Sequence, residues 1–317
     1  MKKIITLFLA LTAMSANAQF LFRVSGNHLK EPSYIMGSTY TMASDVLDKM
    51  PAYLEAEAKC KQLFVEFDMT DTLKIQSLAN NNKINIDDFM LPDGKNIMDL
   101  MNKNQIELLN KRFKDAYGVN FTDSAFKSAW NQTPSAIAIL LDTSVLVAEF
   151  AKHDILLSPL NTRLEYACIS RAKERGLKVR PFADLANLNS IHEQVQNTII
   201  DPNMSVDSLV TILNNFEQHK QEVASKIDIL FLADKFWLDG DYNGYAKDDA
   251  AVKFANSSPA MTKERNEKVL PQMLAAMNES PTMFLFTAGQ LIGDNNIIQE
   301  LRSKGYKVEQ INCYTNV

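Results

Sequence analysis

From about residue 19 onward the apolar positions change period several times, and each change predicts an element. Short apolar runs at Phe20-Leu21-Phe22-Arg23-Val24 and Ser33-Tyr34-Ile35-Met36 flank the polar turn Gly26-Asn27-His28 and predict two strands. A helical stretch from Met50 to Cys60, with Pro51 in its first turn, leads into a strand over Leu63-Phe64-Val65-Glu66-Phe67-Asp68, where two carboxylates break the apolar run. Apolar residues then recur at helical spacing over Lys95–Tyr117 and Leu164–Gly176, with Gly176 as a stop and Leu177–Pro181 as a short strand. Ser205–Asp239 reads as one long helix or a pair, and Trp237–Tyr245 as an aromatic, acidic loop. The C-terminal part predicts a helix over Lys263–Met277, a strand over Thr282–Ala288, a helix over Asp294–Gly305 and a last strand over Tyr306–Ile311. Strands thus lie toward both ends of the chain. The expected class is α/β: a single domain over 19–317 with a mixed central sheet formed by N- and C-terminal segments and a large helical insert at about 75–252.

The first residues have a different pattern. Lys2 and Lys3 precede a mostly apolar run from Ile4 to Met14, and Ser15-Ala16-Asn17-Ala18 offers small residues at a cleavage site. This reads as a signal peptide over 1–18, cut after Ala18, and implies a periplasmic or secreted protein. No further apolar stretch of spanning length is expected in the mature chain.

Composition adds exclusions. The 317 residues are 46% hydrophobic and 22% charged, with 10 Gly and 10 Pro, which disfavours disorder and collagen-like structure. The formal net charge is −5 and there is no basic run, so nucleic acid is not an expected partner. Cys60, Cys168 and Cys313 are widely spaced and match neither a zinc ribbon nor a CxxC pair; they allow one disulfide or three free thiols.

Familiar catalytic motifs are missing. There is no GxGxxG, no Walker loop and no GxSxG. His192-Glu193 starts like a zincin helix, but position 196 is Gln, and His28, His153 and His219 have no partner at ligand spacing. Two segments stand out because each passes from an apolar strand through small residues to a polar side chain, and ligands of open α/β sheets bind beyond strand ends. One is Tyr34-Ile35-Met36-Gly37-Ser38-Thr39-Tyr40, followed by the acidic strand with Glu66 and Asp68; the other is Thr287-Ala288-Gly289-Gln290-Leu291-Ile292-Gly293. A strand carboxylate such as Glu66 is costly to bury alone, so it serves either a site or an ion pair with a cation such as Arg265.

These segments, together with Glu264-Arg265-Asn266, Leu164–Gly176 and Leu301-Arg302-Ser303-Lys304-Gly305-Tyr306-Lys307-Val308, resemble in order and spacing the TraB/GumN family, which is related to the Tiki metalloproteases. The resemblance implies two GxxH motifs whose histidines, with a strand glutamate, hold a divalent metal. Here the corresponding positions are Tyr40 and Gln290, while Glu66 and Arg265 match. A Gln carbonyl is a weak neutral donor, and a Tyr phenol with a pKa of about 10 ionises reluctantly.

Three readings follow. The first is a degenerate relative of the Tiki-type peptidases with a binding role for a peptide or protein ligand and no cofactor. The second is an active metal-dependent peptidase or hydrolase with ligands supplied differently, for example by Glu66, Asp68 and a histidine from the helical insert, holding Mn, Co or Zn. The third is a metal-independent hydrolase with Glu66 as general base and Arg265 as electrostatic stabiliser. Gly37, Tyr40, Asp68, Gly289 and Gln290 are expected to line the cleft with them, the two glycines allowing close backbone approach. Trp237, Tyr242 and Tyr245 form either a ligand wall or an ordinary hydrophobic cap.

Overall fold

The computed structural model describes residues 20–39, 41–73, 86–92, 94–152, 162–183 and 203–311. In chain order the elements are β1 (Leu21–Ser25), β2 (Ser33–Ser38), α1 (Pro51–Lys59), β3 (Gln62–Val65), α2 (Lys103–Tyr117), α3 (Pro134–Lys152), α4 (Leu164–Glu174) and β4 (Lys178–Pro181). They continue as α5 (Val206–Asn214), α6 (Phe216–Leu238), α7 (Tyr242–Tyr245), α8 (Asp249–Ala255), α9 (Pro259–Glu279), β5 (Thr282–Thr287), α10 (Ile297–Ser303) and β6 (Lys307–Gln310).

The chain divides into two compact units, one of residues 1–70, 160–186 and 232–317, the other of 71–159 and 187–231. The first holds a mixed sheet of six strands in the order β4-β3-β5-β2-β1-β6. β4, β3, β5 and β2 run parallel to one another, whereas β1 is antiparallel to both β2 and β6. The architecture is therefore the expected mixed α/β sheet, with one strand, β4, returning from within the 75–252 stretch. α4 ends where the sequence placed the stop. Gly176 has φ +76°, the left-handed conformation that closes a helix with least strain in glycine.

The inner strands β2, β3 and β5 are buried on both faces, which is why they read as mostly apolar runs instead of alternating ones. On one face Tyr34, Met36, Leu63, Val65, Met283 and Leu285 share a core with Tyr53, Cys168, Ile169 and Trp237. Phe64, Phe182, Phe284 and Phe286 form a separate ring cluster, with Phe182 stacked on Phe286 at 5.4 Å. Buried beside the first core, Glu57 accepts from Arg171 Nε (2.9 Å) and Arg175 Nη1 (2.5 Å).

The second unit is helical, with Leu109, Phe113, Ile137, Leu141, Val145, Leu209 and Leu213 at its centre. Among the described helices α3 has the length and composition to cross a membrane, contrary to the expectation that no apolar stretch of spanning length follows residue 18. Its inward face is occupied by this core, as in a core helix.

Two expectations need correction. β3 stops at Val65, so Glu66 and Asp68 lie beyond the strand. Beyond the Val65–Pro181 pair the β4 side of the ladder ends with the Phe182 N–H donating to the Val65 carbonyl (2.9 Å), and β5 leaves the sheet two residues after Leu285. Trp237–Tyr245 is not a loop: Trp237 closes α6, and the Asp241 side chain caps Gly244 N (2.8 Å) to start α7.

Candidate functional site

Because β3, β5 and β2 are adjacent and parallel, their carboxyl ends open on one edge of the sheet. Glu66 follows β3, Ser38 ends β2, and β5 turns at Ala288–Leu291 into a 3-10 turn that carries Gly289 and Gln290. Gln290 Nε2 donates to Glu66 Oε1, and the Thr287 N–H donates to the same carboxylate. Burial pushes the Glu66 carboxyl above its usual value; Gln290, the positive charge of Arg265 and Thr287 pull the other way without cancelling it. Arg265 lies on α9, buried, with Nε and Nη2 directed at Asn266 Oδ1 at 3.4 and 3.3 Å. Gln290 Oε1 is buried with no hydrogen-bond partner among the described residues.

A second carboxylate faces this one. Glu165, in the first turn of α4, accepts from Ser38 Oγ, whose oxygen also lies 3.2 Å from the Phe286 carbonyl. Burial raises the Glu165 carboxyl to about 7, opposed by the Ser38 bond and reinforced by the negative charge of Glu66. Glu66 and Glu165 line a cavity of about 80 Å³ with Val65, Phe67, Met69, Ile169 and Leu285. That holds a few water molecules and no substrate-sized group. The chemistry available is proton storage on two coupled carboxyls in an apolar setting.

The other expected residues divide. Gly37 is a close-approach position: a Cβ there would lie 2.7 Å from Leu291 Cδ1 and 3.1 Å from Phe20 Cβ. Gly289 is not, since its Cβ would meet only Tyr245 Oη at 3.9 Å. Asp68 is bound to Lys173 Nζ (2.8 Å), Thr70 N (3.0 Å) and Thr70 Oγ1 (2.6 Å). Partial burial works against the charged form of Asp68, but these bonds outweigh it and hold its carboxyl below the usual value. Its partners make it a local structural pair, and it does not line the cavity beside Glu66. Tyr40 lies outside the described residues.

The aromatic group is a cap. Trp237 is fully buried and donates from Nε1 to the Gly37 carbonyl (2.8 Å), Tyr242 donates to Leu291 O (2.7 Å), and both Tyr242 and Tyr245 pack on Phe20. Cys60 and Cys168 are buried free thiols, each pushed up to about 12 by burial; Cys313 lies outside the described residues.

Glu165 and Ser38 were not singled out from sequence as site residues. The available signal was position: Glu165 is the second residue of the Leu164–Gly176 segment that carries the family resemblance.

The donors described at this edge fit a transition metal poorly. They are carboxylate and amide oxygens, whereas Zn, Co and Mn peptidase sites rely on imidazole as well. His28 sits in the turn before β2, at the other end of that strand, and His219 Nε2 is bonded to Asp142 Oδ1 (2.5 Å) in the second unit. Among the described residues no group of three or more His, Cys, Asp or Glu side chains is placed to hold a metal ion. His153 and His192 lie outside them.

Comparison with known proteins points to one family. The model of the TraB/PrgY/gumN family matches residues 20–310. The metalloprotease TIKI2 of Danio rerio is 21% identical, over 92% of this chain and 60% of that protein, so the chain spans less than two thirds of that relative's length. No solved structure matches significantly.

Proposed function

The chain belongs to the TraB/PrgY/gumN family, and on that premise we propose that it is an exported member that keeps the fold for binding a peptide or protein and has lost metal-dependent peptide hydrolysis. Export rests on the signal-peptide pattern of residues 1–18, with cleavage after Ala18 and a periplasmic or secreted product. The observation that carries the loss of catalysis is the Gln290–Glu66 bond. A carboxylate that would have to coordinate a cation accepts N–H bonds from Gln290 and Thr287, and an amide stands where the family resemblance calls for imidazole. A neutral amide neither binds Zn, Co or Mn strongly nor helps one to ionise water.

The test is metal content of the mature protein after incubation with Mn, Co or Zn and dialysis, beside the Tyr40→His, Gln290→His variant. Wild type should emerge empty and the variant should hold about one ion. Stoichiometric metal in wild type would end this reading and direct attention to peptidase assays.

A second reading, metal-independent hydrolysis, draws support from two carboxyls with raised proton affinity, Glu66, which feels the Arg265 charge, and Glu165. Hydrolysis that survives a chelator and disappears in Glu66→Gln would favour it over the binding role.

A further inference from the structure

The aromatic cap over Phe20 contains the dipeptide Asn243-Gly244. Asparagine followed by glycine is chemically labile, because glycine has no Cβ to shield the side-chain amide from the next backbone nitrogen. Here packing demands the glycine. Its φ is not positive, so no left-handed turn asks for it, but a Cβ at Gly244 would run into Asp241 Oδ2 and lie 2.9 Å from Phe236 Cε1. Asn243 itself is exposed to water.

The carboxylate that demands the glycine also occupies its nitrogen. Gly244 N donates to Asp241 Oδ1 (2.8 Å), and Tyr245 N donates to the Asp241 carbonyl (3.0 Å), so that α7 is held as one helical turn. Closure of a five-membered ring between Gly244 N and Asn243 Cγ needs the opposite arrangement. The nitrogen has to give up its proton, and the Asn243 backbone has to leave helical ψ. An anion that accepts the N–H makes that proton harder to lose. The turn also bears on the Glu66 edge. Tyr242 donates to Leu291 O (2.7 Å), and Tyr245 Oη faces Gly289, so α7 braces the 3-10 turn that carries Gln290.

We propose that Asn243 is a site of self-modification guarded by Asp241. When α7 opens, Gly244 N attacks Asn243 Cγ, the new C–N bond closes a succinimide, and the side-chain nitrogen leaves as ammonia with the proton that Gly244 gives up. Water then opens the ring at either carbonyl, giving aspartate or isoaspartate, and no oxidant or metal takes part. Isoaspartate lengthens the main chain between Tyr242 and Tyr245 by one methylene and loosens the brace on the Gln290 turn. This site is independent of whether Glu66 holds a metal.

The test incubates the full mature chain at mildly alkaline pH, native and in urea, and follows Asn243 by peptide mass mapping, with the isoaspartyl peptide resolved by its separate elution. Native wild type should convert at least about 10-fold more slowly than the unfolded chain, since only the open fraction of α7 reacts. Asp241→Ala should speed the native reaction about 2- to 30-fold, the range set by losing a side-chain cap. Asp241→Asn keeps an accepting oxygen without the charge and should fall between the two. Circular dichroism establishes that each variant is folded, and the ratio of native to unfolded rates in wild type decides the matter if Asp241→Ala is not. No conversion in the unfolded chain, equal rates in native and unfolded wild type, or an unchanged rate in folded Asp241→Ala would overturn the proposal.

Discussion

Gln290 Nε2 donates to Glu66 Oε1 across 224 residues of sequence, from the turn after β5 to the residue after β3. Each side chain is positioned by the end of its own strand, and they meet because β3 and β5 are parallel neighbours. The bond moderates the proton affinity that burial gives Glu66.

Replacing Gln290 with Leu should therefore raise the Glu66 pKa further, because burial persists while a stabiliser of the charged form is removed. Carboxyl 13C NMR against pH reads this directly. An unchanged or lowered Glu66 titration in the variant would contradict the arrangement.

Glu165 makes stability depend on pH in a direction unusual for a carboxylate. Its folded pKa, about 7, lies above the ordinary 4.5. Below 4.5 both states hold the proton; between 4.5 and 7 the folded protein keeps a proton that the unfolded chain releases. Stability linked to this group is thus fully present below 4.5 and is lost as pH rises through 7. Glu165→Gln removes that dependence and can still bond Ser38. The Tm of wild type should fall relative to the variant between pH 5 and pH 7.5, and a constant difference would exclude the linkage.

The two glycines of the site predict opposite outcomes. Gly37→Ala forces a Cβ against Leu291 and Phe20, at a cost of about 1–3 kcal/mol. Gly289→Ala meets only Tyr245 Oη at 3.9 Å and should change stability by no more than about 0.5 kcal/mol. Urea midpoints of the two variants test the ordering.

Glu57 is 1% exposed, whereas its partners Arg171 and Arg175 keep 39% and 31% of their side chains in solvent. Glu57→Gln lets both guanidinium groups turn outward, and should cost about 1–3 kcal/mol. Replacing both arginines with Ala leaves a buried carboxylate without its cations, and should cost about 3–5 kcal/mol. Equal losses in chemical denaturation would mean that the charge is not isolated as described.

The elements themselves were legible in the chain. Runs such as Phe284-Leu285-Phe286, the helical spacing over Leu164–Gly176 and the glycine that ends it are local patterns, and local patterns encode backbone conformation and burial. Membership of the TraB/PrgY/gumN family was legible for the same reason, since its motifs are short segments in a fixed order. The end of β3 was not, because it depends on where the neighbouring strands β4 and β5 stop pairing with it. Nor was the role of Glu165, 127 residues from Ser38, or the separation of Asp68 from Glu66 by Lys173. By itself the sequence determined most of the segments that are strands and helices, though not every point at which they end. Which ends are neighbours was decided only by the order and register of the sheet, because side-chain periodicity carries no information about the strand that will lie alongside.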